Sequence, residues 1–104
     1  MKEKYSRVIE AIKLSPVKIA IVRLFKSSPH IMDTLRGVAS WAFVPVERAA
    51  QEVDELVSLG VLSKYGDGPG AVYRYTTDEN IRKCVDCNWD EIEQARAEMQ
   101  RRGL

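Results

Sequence analysis

The stretch Val38-Ala39-Ser40-Trp41-Ala42-Phe43-Val44-Pro45, continued by Ala49, Val53, Leu56, Gly60 and Leu62, decides the architecture. Leu35, Val38 and Ala39 share one face of a short helix, for which Asp33 is a plausible cap. Pro45 suits the start of a second, longer helix, because its missing N–H costs nothing in a first turn. Ala49, Val53, Leu56 and Val57 give that helix an inner face, and Gly60 supplies a left-handed stop. Beyond it the period falls from 3.6 towards 2. Val61–Tyr65 and Ala71–Thr76 read as strands, and Gly66-Asp67-Gly68-Pro69-Gly70 as the turn of a hairpin.

Working outward, Ser15-Pro16 is a cap followed by a helix-opening proline. Val17, Ala20, Ile21, Leu24 and Phe25 carry helical spacing to about Lys26, where Ser27-Ser28-Pro29 ends it. His30-Ile31-Met32 is a short extended piece. Tyr5, Val8, Ile9 and Ile12 form the stripe of an amphipathic helix ending near Leu14. On the other side, Asp78 caps a helical stretch through Cys84. Asn88-Trp89-Asp90-Glu91 has the form of a capping box, opening a last helix striped by Trp89, Ile92 and Met99. The expected organisation is an N-terminal helix at 1–14, a central unit at 15–77 and a C-terminal helical extension at 78–104.

The order of the central unit, helix, helix, turn, helix and hairpin, resembles that of winged helix-turn-helix proteins, a group that includes small prokaryotic transcription regulators. Val38-Ala39 matches the apolar–alanine pair that opens the turn, Val44 the aliphatic residue that closes it, and Leu56 through Leu62 the leucine-x-x-x-glycine-x-leucine end of the recognition helix. Tyr73-Arg74-Tyr75-Thr76 is similar to the strand that completes the wing. Phe43 stands where the family usually has glycine, and a left-handed phenylalanine is costly, so a longer or differently shaped turn is expected. The fold class is therefore mostly α with a small antiparallel β-hairpin (α+β), a winged helix-turn-helix with extra terminal helices.

The resemblance implies a sequence-specific DNA-binding transcription regulator whose 45–59 helix enters the major groove, with the 61–76 hairpin as wing. Arg48 would fork onto guanine, Gln51 onto adenine, and Glu47 would accept from cytosine. Lys64 and Arg74 would serve the wing, and Arg36, Lys18 and Lys26 the phosphates. The charge pattern cuts both ways. Residues 1–44 hold eight basic side chains against three acidic ones, and the remainder eight against twelve. A polyanion is drawn to the first half. Yet Glu47, Glu52, Asp54 and Glu55 crowd the outer face of the 45–59 helix, and the hairpin tip has no basic residue. The alternative is a winged-helix module that docks a protein through that acidic face.

The remaining residues exclude more than they assign. A chain of 104 residues has room for one domain, and no apolar run approaches the length of a membrane span. No secretory leader is legible, and two cysteines make no disulfide scaffold, so a cytoplasmic address is expected. Cys84-Val85-Asp86-Cys87 has the spacing of half a zinc site or a redox pair, but the chain offers only His30 beside it; two small buried hydrophobes is the plainer reading. No paired carboxylates, nucleophile–base set or phosphate loop is present, so neither an enzyme nor a cofactor is expected. The two terminal stripes, Tyr5, Val8, Ile9 and Ile12 with Trp89, Ile92 and Met99, are expected to form a homodimer interface; the other reading packs them together inside one chain.

Overall fold

A computed structural model describes residues 2–103 of the chain. Its first two helices, α1 (Lys2–Lys13) and α2 (Pro16–Ser27), are separated by a serine that works as the sequence suggests. The Ser15 hydroxyl accepts from the Lys18 backbone N–H, and Pro16 opens the helix. Next come β1 (Met32–Thr34), α3 (Leu35–Ala42) and α4 (Val46–Ser58), then β2 (Leu62–Tyr65), a single 3-10 turn at Gly68–Gly70, and β3 (Val72–Tyr75). The chain closes with α5 (Glu79–Cys87) and α6 (Trp89–Arg101).

The expected hairpin is the larger part of a three-stranded antiparallel sheet of order β1-β3-β2. Leu62 pairs with Tyr75 and Tyr65 with Val72, while Met32 pairs with Arg74 and Thr34 with Val72. Asp33 is therefore a strand residue, and the cap of α3 is Thr34, whose hydroxyl accepts from the Gly37 N–H at 3.3 Å. Gly37 leaves room for the Asp33 carboxyl group, which would lie 2.1 Å from a Cβ there and would have to swing aside for any other residue.

The turn between α3 and α4 corrects the expectation drawn from Phe43. Phe43 takes the left-handed conformation, with φ 59 and ψ 45. Val44 N–H donates to the Ala39 carbonyl at 3.0 Å and Phe43 N–H to that of Ser40 at 3.3 Å. This is the Schellman pairing, which satisfies carbonyls that the helix end leaves open. The same pairing closes α4 at Gly60, where φ is 81. The turn thus keeps the left-handed shape that a glycine would give it, and the strain falls on a phenylalanine. Pro45 caps α4 and is not its first helical residue. Asn88 stands at the start of α6 without a side-chain cap bond; its amide donates instead to the Cys84 carbonyl at 2.8 Å and closes α5.

One hydrophobic core runs through all six helices and the sheet. Phe25, Val38, Val53, Leu56 and Val61 are fully buried, as the central pattern requires. So are Ile12 of α1 and Ile92 of α6, with Val8 and Ile9 nearly so. Tyr5, Trp89 and Met99 are half-buried against the same core. The expectation that these stripes meet a second chain is corrected: an apolar stripe is satisfied by the nearest apolar surface, and α1 and α6 find it in each other and in α2.

Two outcomes follow. Ile92→Ala is expected to lower unfolding stability by about 2–5 kcal/mol in a single cooperative urea transition, the cost of a cavity in a shared core. Phe43→Gly is expected to raise stability by up to about 1 kcal/mol at low protein concentration, because it releases left-handed strain while removing a ring that is 91% exposed.

Candidate nucleic-acid interface

The inner face of α4 is Ala49, Glu52, Val53 and Leu56, which is the i, i+3, i+4, i+7 stripe with a carboxylate in it. The inner face of α2 has the mirror arrangement, Lys18, Ile21, Val22 and Phe25. The sequence suggests outward roles for both charged residues, Lys18 as a phosphate contact and Glu52 as part of an acidic surface. Both are buried, and the Lys18 ammonium donates to the Glu52 carboxylate at 2.6 Å. Ser15 Oγ donates to the second Glu52 oxygen at 2.5 Å, and Lys18 also reaches Glu55 at 3.1 Å. Lys18 is thereby removed from the phosphate contacts. The missed signal was positional: each charge occupies an apolar-stripe position of its own helix, and the two charges are opposite.

The electrostatics of the pair follow from this geometry. Burial pushes the Lys18 ammonium down, but the bonds to Glu52 and Glu55 outweigh it, so the group titrates above its ordinary 10.5. Burial pushes the Glu52 carboxyl up, but the bonds from Lys18 and Ser15 outweigh that, and it is held below its ordinary 4.5. Stability from Glu52 is present above pH 4.5 and is lost as pH falls through its depressed folded value. Stability from Lys18 is present below pH 10.5 and is lost as pH rises through its elevated folded value.

What α4 leaves in solvent is its opening: Glu47, Arg48 and Gln51 are exposed, with Val46 beside them. Asp54 and Glu55 are exposed further along. Arg36 is exposed in the first turn of α3. On the ribbon, cross-strand partners share a face, so Lys64 lies with Tyr73, and Arg74 with Ser63 and Met32 on the opposite face. Lys64 is exposed, and Arg74 is half-buried with its Nε unbonded. The tip, Gly66–Gly70, is fully exposed and carries Asp67.

The basic excess of the first half is largely spent inside the molecule. Lys13 meets Glu91 at 2.9 Å, Lys18 meets Glu52, Arg23 meets Glu93, and Lys26 meets Asp86 at 3.7 Å. Lys26 also lies over the Trp89 ring, 5.3 Å from its centre, which ties it to α5 and α6. The charge asymmetry read from sequence is thus mostly complementarity between two halves that pack together. Cys84 and Cys87 bring no further ligand with them, since no group of three or more metal-ligating side chains exists among the described residues. The Cys84 thiol donates to the Tyr5 carbonyl at 3.7 Å, and burial pushes it above its ordinary value.

Glu52→Gln is expected to cost about 3 kcal/mol, because it strands the Lys18 charge in a site with only Glu55 left. The paired replacement Lys18→Met with Glu52→Leu is expected to restore stability to within about 1 kcal/mol of the parent, and to flatten the loss between pH 5 and pH 3 in denaturant titrations.

No protein-family model and no curated protein matches the sequence. Among solved structures, the chain is similar to a transcriptional regulator of the MarR family from Silicibacter pomeroyi, at 15% identity and a TM-score of 0.64. The match covers 93% of this chain and 64% of that one, so the chain spans under two-thirds of the regulator's length. Likeness at this identity is one of fold: helices α2, α3 and α4 with the β2–β3 ribbon form a winged helix-turn-helix, an α+β arrangement extended by helices at both ends.

Proposed function

We propose that this protein is a cytoplasmic, DNA-binding regulator of transcription that lays the opening of α4 in the major groove of duplex DNA and sets the β2–β3 ribbon beside it as a wing. The observation that carries the reading is the division of α4 into an exposed opening, Glu47, Arg48 and Gln51, and an inner face that takes Glu52 out of solvent. An acidic helix is a poor ligand for phosphate. Burying one of its four carboxylates beneath Lys18, and holding a second, Glu55, against the same ammonium, leaves Glu47 and Asp54 as its unpaired acids among the described residues.

In this reading Arg48 forks onto guanine and Gln51 pairs adenine, while Glu47 accepts from cytosine. Arg36, at the opening of α3, contacts phosphate. Lys64 and Arg74 leave opposite faces of the ribbon, which suits a wing in a minor groove with one phosphate backbone on each side. A second reading, docking of a protein partner through α4, is favoured by one observation: the ribbon tip presents Asp67 and no cation.

The two readings separate in a fluorescence-anisotropy titration with random-sequence duplex. Neutralising three phosphates per protomer is expected to weaken binding about 40-fold between about 50 and 200 mM salt. Undetectable binding at the lower salt would leave the protein-docking reading. With a selected site, Arg48→Ala is expected to cost about 1–3 kcal/mol and to relax preference at one base pair; equal loss on every sequence would make Arg48 a backbone contact.

A further inference from the structure

Cys84 and Cys87 close α5, three residues apart and so on one side of the helix. The plainest reading of the sequence makes them small buried hydrophobes, but the fold does not bury them: Cys84 is half-buried and Cys87 exposed. The turn that carries them is firmly held. Asn88 donates its backbone N–H to the Cys84 carbonyl at 3.2 Å and its side-chain amide to the same oxygen at 2.8 Å. The helix therefore stays wound through Cys87, and the winding fixes the spacing of the two thiols.

That spacing decides what the pair can do. Residues three apart on a helix have Cβ atoms about 5–6 Å apart. A disulfide needs about 3.5–4.5 Å, so closing one would unwind the turn that Asn88 holds. An ion between the sulfurs needs no unwinding, because two metal–sulfur bonds of about 2.3 Å span roughly 4–4.6 Å. The ligand set then selects the ion. Structural zinc takes four ligands, and no group of three or more metal-ligating side chains exists among the described residues. Two thiolates alone suit a soft monovalent ion that accepts two-coordination. The position on the helix agrees. A helix N-terminus favours free thiolates and redox exchange, whereas this pair stands at the C-terminal end, whose partial negative charge favours a cation.

We propose that Cys84 and Cys87 form a binding site for copper(I), held between their two sulfurs at the C-terminal end of α5. A second, independent observation points to the same ligand. Tyr75 of β3 is 3% exposed, and its hydroxyl is buried without a hydrogen-bond partner among the described residues. That hydroxyl lies within reach of the charges of Asp86 and Cys84. A thiol is a weak acceptor and an ionised sulfur a stronger one. When copper displaces the Cys84 proton, the sulfur becomes the acceptor that Tyr75 lacks, as outer-shell partners do for metal ligands. Binding sends two protons to solvent and leaves the site with a single net negative charge. The bond that the Cys84 thiol gives up is the long one to the Tyr5 carbonyl, an oxygen inside α1 that the helix's own N–H groups serve. The site uses no residue from the opening of α4, so it stands whether or not the chain binds DNA.

The test is a titration of the reduced full chain with copper(I) in the absence of oxygen, in competition with a chromophoric copper(I) chelator. Thiolate-to-copper absorption in the ultraviolet is expected to saturate at one ion per chain, with helix content by circular dichroism unchanged. Cys84→Ser and Cys87→Ser are each expected to weaken binding by more than about 100-fold, and Tyr75→Phe by about 10-fold, the scale of a lost outer-shell partner. Cys87 is exposed, so Cys87→Ser keeps the test sound even where Cys84→Ser disturbs folding. Copper that the chelator removes completely overturns the proposal. So does binding that survives Cys87→Ser, saturation at one ion per two chains, or zinc held as tightly as copper. An unchanged affinity in Tyr75→Phe overturns the part given to Tyr75.

Discussion

The joint between α2 and α4 rests on a lysine and a glutamate that meet out of water. Lys18 and Glu52 each sit on the apolar stripe of their own helix, so packing the two stripes together forces the charges either to meet or to stay buried and unpaired. They meet at 2.6 Å, with Ser15 completing the carboxylate. A buried pair of this kind adds little net stability over a well-packed apolar pair. Its consequence is register: shifting α4 by one residue along α2 would separate the charges and leave both desolvated. The direction in which the opening of α4 faces solvent is therefore tied to one ion pair. The same Ser15 hydroxyl caps α2, so the start of that helix and the placement of α4 depend on a single side chain.

Much of this was legible in the residues. Apolar periodicity located α2, α3 and α4, the change of period located the ribbon, and Gly60 ended α4 where a left-handed glycine is cheap. What escaped had physical reasons. Strand β1 is three residues long and pairs with β3 some 40 residues on, so no local pattern announces it. At Phe43 steric cost alone argues against a left-handed residue, and the two backbone bonds that this geometry closes are not visible in the sequence. The terminal helices escaped because an amphipathic stripe says that it needs an apolar partner and not which one. Lys18 and Glu52 are surface residues by type, but their spacing puts them on the apolar stripes and inside.

The two halves of the chain also show why net charge by segment is a weak guide to partners. The basic first half and acidic second half suggested a polyanion-binding end. In the folded chain, four cations of the first half lie against carboxylates of the second, through α1–α6, α2–α4, α2–α6 and α2–α5 contacts. Most of the segregation is consumed by folding. Arg36 at the start of α3 and Arg48 at the start of α4, exposed cations that hold no ion pair among the described residues, lie apart in the sequence.

The molecule thus departs twice from the usual sorting of side chains, and the two departures differ in kind. Charges inside the protein are compensated there: Lys18, Glu52 and Ser15 satisfy one another, and the compensation is visible within one chain. Aromatic rings outside it are not. Trp41 and Phe43 keep most of their surface in water, and Phe43 does so on a strained backbone. A single exposed apolar side chain is ordinary, but a strained one close to a second exposed ring is a cost that folding of the isolated chain does not offset. Hydrophobic burial is non-directional and asks only for apolar surface of the right shape.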